Sequence, residues 1–270
     1  MFFCDRIIVP ASCHVSVTYC NRDNSLPSIR SLSPYLTILR SVLPLCNRVE
    51  LFLDTEWILF ISASVDQPER NRTPIIPDMT RPRISLGVET DDPLPQDTSL
   101  TLETWMALFR PFSGPESIVS TLRLMYNEIE DMPLELWNAG LACFPRLEEL
   151  MVGHTFARDT SPMLNGQKLA RLFAVLAGEG EAETSGETGL DEALAPKLCA
   201  PCLRRIAWST VAIDQAFVDG VAQMLEARSA RGTPPGRMLE IDIVDAVLMS
   251  GVDLDESKAR LERLACLSIK

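Results

Sequence analysis

The sharpest chemical motif in the sequence is the cysteine pair in Cys199-Ala200-Pro201-Cys202. Two thiols at this spacing can form a redox pair or supply half of a zinc site. A redox pair would need a strand before it and a helix starting at it, and a zinc site would need two further ligands. The sequence instead predicts a strand after the motif and offers no second cysteine pair or histidine pair nearby. We therefore interpret Cys199 and Cys202 as part of a bend that leads into a strand.

The histidines give little support for acid–base or metal chemistry. The chain has two, His14 and His154. His154 lies near Asp159 and Ser161, but the Gly-x-Ser-x-Gly turn that would expose a nucleophilic serine does not occur. His14 stands beside Cys13 without a standard metal-ligand spacing. The sequence therefore predicts no catalytic residue, no metal ligand and no bound cofactor.

Charge and composition narrow the class of partner. The 270 residues include 37 acidic and 25 basic side chains, a net charge of −12, which disfavours binding to phosphate backbones and anionic membranes. Eight cysteines are too few for a disulfide scaffold of this length, and no signal peptide is recognisable. The most apolar stretch, 57–65, is too short to span a bilayer. We expect a cytoplasmic or nuclear protein that binds neither nucleic acid nor membranes.

The elements that would position a functional surface are indicated by one apolar triplet, spaced i, i+3, i+5, that returns along the chain. Such a triplet suits a short strand entered through a bend, because strand side chains alternate and the last two positions then share one face. It occurs as Cys46-x-x-Val49-x-Leu51, Val119-x-x-Leu122-x-Leu124, Leu147-x-x-Leu150-x-Val152, Leu203-x-x-Ile206-x-Trp208, Met238-x-x-Ile241-x-Ile243 and Leu264-x-x-Leu267-x-Ile269. A weaker case precedes Ile84-x-Leu86, and residues 14–19 read as a further strand.

The spacing of these triplets predicts a repeat architecture. First positions at 119, 147, 203, 238 and 264 are separated by 28, 56, 35 and 26 residues, and intervals of about 20–29 residues are typical of leucine-rich repeats. We therefore predict an α/β fold, a leucine-rich-repeat-like solenoid with irregular repeats over 1–270. In it a curved parallel β-sheet carries helices on its outer side, and Leu150, Ile206, Ile241 and Leu267 share one ladder.

Helical and loop segments alternate with the predicted strands. Apolar periodicity predicts helices over 33–45, 100–110, 165–177 and 214–231, with Asp214 as an N-cap. The segments 67–98 and 178–191 are predicted to be mobile loops, the first rich in proline and charge and the second acidic and low in complexity.

Two stretches carry a family resemblance: Phe144-Pro145-Arg146-Leu147-Glu148-Glu149-Leu150, and the run from Leu198 to Ile206. Their rhythm is similar to the leucine-rich-repeat regions of F-box proteins in basidiomycete fungi, where Cys or Phe, then Pro, precedes Leu-x-x-Leu-x-Leu. The resemblance implies a substrate-recognition surface, often attached to a ubiquitin ligase through an F-box. No Leu-Pro-x-Glu-[Ile/Leu] segment of the F-box type is visible near the N-terminus, and the sequence ends directly after a strand triplet.

The function we expect is a non-catalytic protein-interaction module that acts as a monomer, with a possible ubiquitylation substrate as its protein partner. Contacts are expected from the strand positions that point away from the core: Glu148, Glu149, Met151, Arg204, Arg205, Glu240 and Asp242, together with Ala207 and Leu239. Two alternatives stay open: a hydrolase-like enzyme with scattered catalytic residues, and a non-functional fragment of a larger F-box protein.

Overall fold

The fold is described by a computed structural model over residues 15–21, 48–54, 58–64, 84–90, 117–126, 133–153, 163–178, 198–231 and 238–269. These residues form strands and helices in an alternating order through the second half of the chain. The elements are β1 (Val15–Asn21), β2 (Arg48–Asp54), β3 (Ile58–Ser64), β4 (Ile84–Thr90), β5 (Thr121–Tyr126), α1 (Leu134–Ala142), β6 (Glu149–Gly153), α2 (Gly166–Ala177), β7 (Arg205–Ser209), β8 (Ala212–Ile213), α3 (Gln215–Ala230), β9 (Leu239–Val244), β10 (Val247–Leu248), α4 (Leu254–Glu262) and β11 (Ala265–Ile269).

Five strands, in the order β5-β6-β7-β9-β11, form a parallel sheet. In its register Leu122 lies beside Leu150, Leu150 beside Ile206, Ile206 beside Ile241 and Ile241 beside Leu267. The triplet pattern therefore predicted the register correctly, and the α/β class is confirmed. A one-residue slip would have turned every apolar residue of a strand to the opposite face.

The strands from the first half of the chain follow a different pattern from the one expected. β2 lies parallel to β5, with Val49 beside Leu122, but β3 runs antiparallel to both β2 and β4. Ile84 therefore pairs with Ala63 of β3 and not with the main ladder. The physical reason lies in the connection: only residues 55–57 separate β2 from β3, whereas a parallel crossover needs a dozen residues or more.

The apolar core lies between the parallel sheet and the helices. Leu150, Val152, Ile206 and Ile241 on the strands are almost fully buried, in one cluster with residues of α1, α2, α3 and α4. At the centre Phe173 of α2, Trp208 of β7 and Phe217 of α3 pack edge to face, with ring centroids 5.4 to 5.9 Å apart, an arrangement that aromatic quadrupoles favour. One face of the sheet is thus covered by the helices.

An amide cap and a carboxylate cap begin the two helices that the sequence predicted at 165–177 and 214–231. Asn165 Oδ1 accepts the Lys168 backbone N–H at 3.0 Å. Asp214 Oδ1 accepts the N–H of Phe217 at 2.7 Å and the N–H of Gly166 at 3.1 Å. Asp214 thus satisfies one unpaired donor at the start of each of two neighbouring helices, and both predicted helices are confirmed.

A buried arginine closes the opposite end of α2. Arg228 of α3 is 3 % exposed and donates to the carbonyls of Leu176, Cys199 and Ala200 at 3.0 to 3.2 Å. Arg231 donates to the carbonyl of Ala177. Carbonyls at a helix C-terminus have no partner within the helix, and cations there also complement the helix dipole.

Successive layers repeat the same backbone details. Short strands follow the main strands: β8 pairs with β10 in parallel, and Leu164 bridges to Val211. Thr210 after β7 and Asp245 after β9 both adopt a left-handed conformation, with φ of 58° and 52°. Residues other than glycine seldom take this conformation, so its recurrence at matching places marks a shared turn between the main and the short strand.

The predicted bends before the strands are confirmed at three places and wrong at one. The N–H groups of Leu147, Leu203 and Leu264 each donate to the carbonyl three residues earlier, at 2.9 to 3.1 Å. Met238, expected in the core as the first position of its triplet, is 48 % exposed, and Leu239, expected to point outward, is buried. The reason is that β9 already starts at Leu239, so alternation puts Leu239 on the core face with Ile241.

Other predicted segments lie wholly or mostly outside the described residues. The helices expected over 33–45 and 100–110 fall there, as do 179–191 of the second predicted loop. Gly178, with φ of 83°, is the C-cap of α2, and within the first predicted loop 84–90 form β4. The strand expected at 14–19 is confirmed as β1. None of the helices in the described part is long and apolar enough for a bilayer crossing.

Candidate protein-interaction surface

The face of the parallel sheet that points away from the helices carries the residues predicted to bind a partner. Along β6, β7 and β9 these positions alternate with the buried ones. The register places Glu149 beside Arg205 and Arg205 beside Glu240. Met151, Ala207 and Asp242 form the next row. Glu149, Met151, Arg205, Glu240 and Asp242 are therefore brought together on three adjacent strands, and Glu148 and Arg204 directly precede β6 and β7.

A repeated backbone contact stacks the residues that lead into each strand. The carbonyl of Ser120 accepts the N–H groups of Glu148 and Glu149, both at 2.8 Å. In the next layer, the Glu148 carbonyl accepts the N–H groups of Arg204 and Arg205 at 2.7 and 3.0 Å. The Arg204 carbonyl in turn accepts the N–H of Glu240 at 2.8 Å. These contacts hold the leading residues one strand spacing apart, within reach of long side chains.

Cross-strand ion pairs connect these side chains. Arg204 Nη2 lies 3.4 Å from Glu148 Oε1. Arg205 Nη1 lies 3.9 Å from Glu149 Oε2, and its Nε donates to Asp242 Oδ2 at 2.6 Å. The Arg205 guanidinium thus lies between carboxylates of the two flanking strands. We call Glu148, Glu149, Arg204, Arg205, Glu240 and Asp242 the charged strip.

Exposure divides this face into an accessible end and a covered one. The Arg204 and Glu148 side chains are 51 % and 41 % exposed, while Asp242 is 15 % exposed. Further along the strands Ala207 and Ser209 are buried. The expectation that Ala207 is exposed is wrong: it occupies the predicted face, but its small side chain lies among the longer side chains of β6 and β9. The accessible part is the end where the strands begin.

The cysteine motif lies in the bend that was predicted for it. Cys199 to Cys202 precede β7, and Ala200 takes a left-handed φ of 51°. Neither Cys199 nor Cys202 forms a disulfide. Among the described residues no three His, Cys, Asp or Glu side chains cluster as metal ligands would. His14 and His154, for which the sequence predicted no catalytic or metal-binding role, lie outside the described residues.

Two buried polar groups were not found from the sequence. Burial lowers the pKa of the Arg228 guanidinium, an effect that the Cys199 thiol partly opposes, and burial raises the pKa of the Cys143 thiol. Desolvation disfavours the charged form in both cases. The Cys143 Sγ lies 3.2 Å from the Ala139 carbonyl within the same turn of chain. Arg228 stabilises the structure, since it ties α3 to α2 and to the bend before β7.

Comparison with known proteins adds no relative. The sequence matches no protein-family model, and neither the curated proteins nor the solved structures contain a match. The function is therefore inferred from the chain's own residues.

Proposed function

We propose that this chain is a non-catalytic protein-interaction module, a leucine-rich-repeat-like solenoid whose charged strip contacts a protein partner. The observation that carries the proposal is the alignment of Glu149, Arg205 and Glu240 in register on three adjacent parallel strands. Layers that stack in this way cannot cover their own apolar faces alone, and they present one continuous surface to a partner.

The pairing within the charged strip favours recognition. Arg205 is held between Glu149 and Asp242, so less side-chain entropy is lost when a partner orders it. Arg204 and Glu148 are more exposed and can exchange their contact for one with a partner. Charges of both signs at fixed spacing favour one orientation of a partner over others, because like-charge contacts are costly.

The test removes the accessible ion pair and keeps the rest of the fold. Glu148→Ala/Arg204→Ala and the wild-type chain serve as baits in quantitative affinity capture from the source cells. Because both changes are on partly exposed side chains, we expect little change in stability. A partner that binds the charged strip should be depleted by about tenfold or more, which corresponds to about 1.4 kcal/mol.

A matched control is available on α4. Lys258 and Glu262 form an ion pair at 3.8 Å with side chains 50 % and 49 % exposed, so Lys258→Ala/Glu262→Ala removes a similar pair elsewhere. Partners that this control keeps and the Glu148/Arg204 variant loses support the proposal. If every captured protein binds both variants and the wild type equally, the charged strip is not the binding surface.

A finer version assigns the partner to ubiquitylation. On the resemblance to fungal F-box proteins, we propose that the partner is a substrate presented to a ubiquitin ligase. Capture of a cullin together with its adaptor by the wild-type chain would support this version. If neither is captured while a strip-dependent partner is, the general binding module stands and the ligase role is dropped.

A further inference from the structure

Exposed apolar side chains are concentrated at one end of the stacked layers. Of the six large exposed hydrophobic residues among those described, Val247, Leu248, Met249 and Ile269 belong to β10, the residue after it, and β11. Large apolar side chains that cluster at one place on a surface mark an interaction site more often than scattered ones do.

The same positions are buried in the preceding layer. Leu248 is paired with Ile213 and Ile269 with Ile243. Leu248 is 45 % exposed and Ile269 is 37 % exposed, whereas Ile213 and Ile243 are 4 % and 1 % exposed. Ile213 is covered by the following short strand, β10, and Ile243 by the following main strand, β11. The surface at β11 therefore has the shape and chemistry of a layer contact that the described chain leaves uncovered.

β11 is also an edge strand that has no protecting residue within its own bounds. It pairs with β9 and stands last in the sheet order, and its five residues, Ala265 to Ile269, include no charge and no proline. Natural edge strands are commonly protected from pairing by lysine, proline or a bulge. An unprotected edge next to apolar side chains is suited to accept another strand.

We infer that β11 pairs with β11 of a second copy of this chain, antiparallel and about a two-fold axis at Leu267. This pairing places Ala265 opposite Ile269 of the second copy and Cys266 opposite Ser268, so no charges face each other and apolar residues meet on the core face. A two-fold contact uses the same surface on both copies and closes on itself. The inference replaces the monomer expected from the sequence and is independent of the charged strip.

The first experiment measures the assembly state of the whole chain by sedimentation over a range of concentrations. We expect a monomer–dimer equilibrium that Ile269→Lys weakens by about tenfold or more, because each dimer then contains the added charge twice. Met238→Lys is the control, since Met238 is 48 % exposed, somewhat more than Ile269, but lies outside β11. A monomer at every concentration, growth beyond dimers, or equal weakening by both variants would overturn the inference.

The second experiment tests the antiparallel register. Residues directly opposite in an antiparallel pair have Cα atoms about 4.5–5.5 Å apart, within the range of about 4.4–6.8 Å that a disulfide requires. In Ser268→Cys, oxidised glutathione should therefore join Cys266 of one copy to residue 268 of the other, and leave as two reduced molecules. The wild type should cross-link far less, because Cys266 lies diagonal to its own copy, about 7–8 Å away.

The readout separates contacts between copies from those within one. Nitrogen-14 and nitrogen-15 chains are mixed before oxidation, and trypsin then releases the peptide 264–270. A linked peptide of mixed isotope composition proves that two copies are joined. If Ser268→Cys and the wild type give equal amounts of mixed product, the two-fold pairing is wrong.

Discussion

Replacing Arg228 by methionine should destabilise the chain strongly although the side chain is far from the charged strip. The variant removes donors from three carbonyls, those of Leu176, Cys199 and Ala200. A buried acceptor left without a partner costs about 1–3 kcal/mol. Part of this loss is offset, because methionine keeps most of the packing and the desolvation that lowers the arginine pKa disappears.

We expect Arg228→Met to lower the free energy of unfolding by about 2–4 kcal/mol. Urea unfolding at 25 °C, followed by the midpoint and the m-value, measures this difference. Arg228→Lys should lose less, since an ammonium can still donate but cannot reach all three carbonyls as the planar guanidinium does.

Arg263→Met is the matched control for this prediction. Arg263 is exposed and its Nε donates at 3.2 Å to Ala259 within the same helix, so we expect a change below about 0.5 kcal/mol. The reasoning would be refuted if Arg228→Met stayed within 0.5 kcal/mol of the wild type, or if the control lost as much.

Three further changes test the contacts that hold the layers together. A Cβ on Gly166 would stand 2.0 Å from a backbone nitrogen of α3, so Gly166→Ala should cost about 1–3 kcal/mol or more in urea unfolding; an unchanged midpoint would contradict the close approach. Asp214→Ala removes a cap from two helices and should cost about 2 kcal/mol, twice the loss from Asp253→Ala, because the two N–H groups that Asp253 accepts belong to α4 alone and are exposed, whereas those that Asp214 accepts are partly buried; equal losses would contradict the shared cap. Because burial raises the pKa of the Cys143 thiol from 9.0, the contribution of this thiol to stability should be level below pH 9 and fall above it, as the unfolded chain ionises first. Cys143→Ala should flatten that decline, and an identical alkaline profile would exclude the thiol as its cause.

The parallel ladder could be predicted from the sequence because each strand carries its own pattern. The two-residue spacing of apolar side chains in Leu150-x-Val152 and Ile206-x-Trp208 indicates which face of each strand is buried. The buried face determines the register. Part of the charged strip follows from the same alternation, since Glu149 and Arg205 stand one position before the buried Leu150 and Ile206. Its ion pairs could not be predicted, because they depend on which strands are neighbours.

Other elements lack a local signal. β8 and β10 have two residues each, and a strand of two residues is too short to show an alternation of apolar and polar positions. The antiparallel placement of β3 follows from the three-residue connection between β2 and β3. The apolar residues within the two strands do not indicate the direction of pairing. The role of Arg228 was also hidden, because an arginine in an amphipathic helix is usually solvated, and only the packed structure shows the carbonyls that it reaches.

The carboxylate of Asp214 accepts hydrogen bonds from the first turns of both α2 and α3, which begin 49 residues apart along the chain (Gly166 and Gln215). The first turn of α3 cannot loosen at Asp214 without also releasing the Gly166 N–H of α2. In hydrogen exchange the amides of Gly166 and Phe217 should therefore open as one unit with a single free energy, because local unfolding proceeds in cooperative blocks. Two helices joined in this way should melt together instead of one after the other.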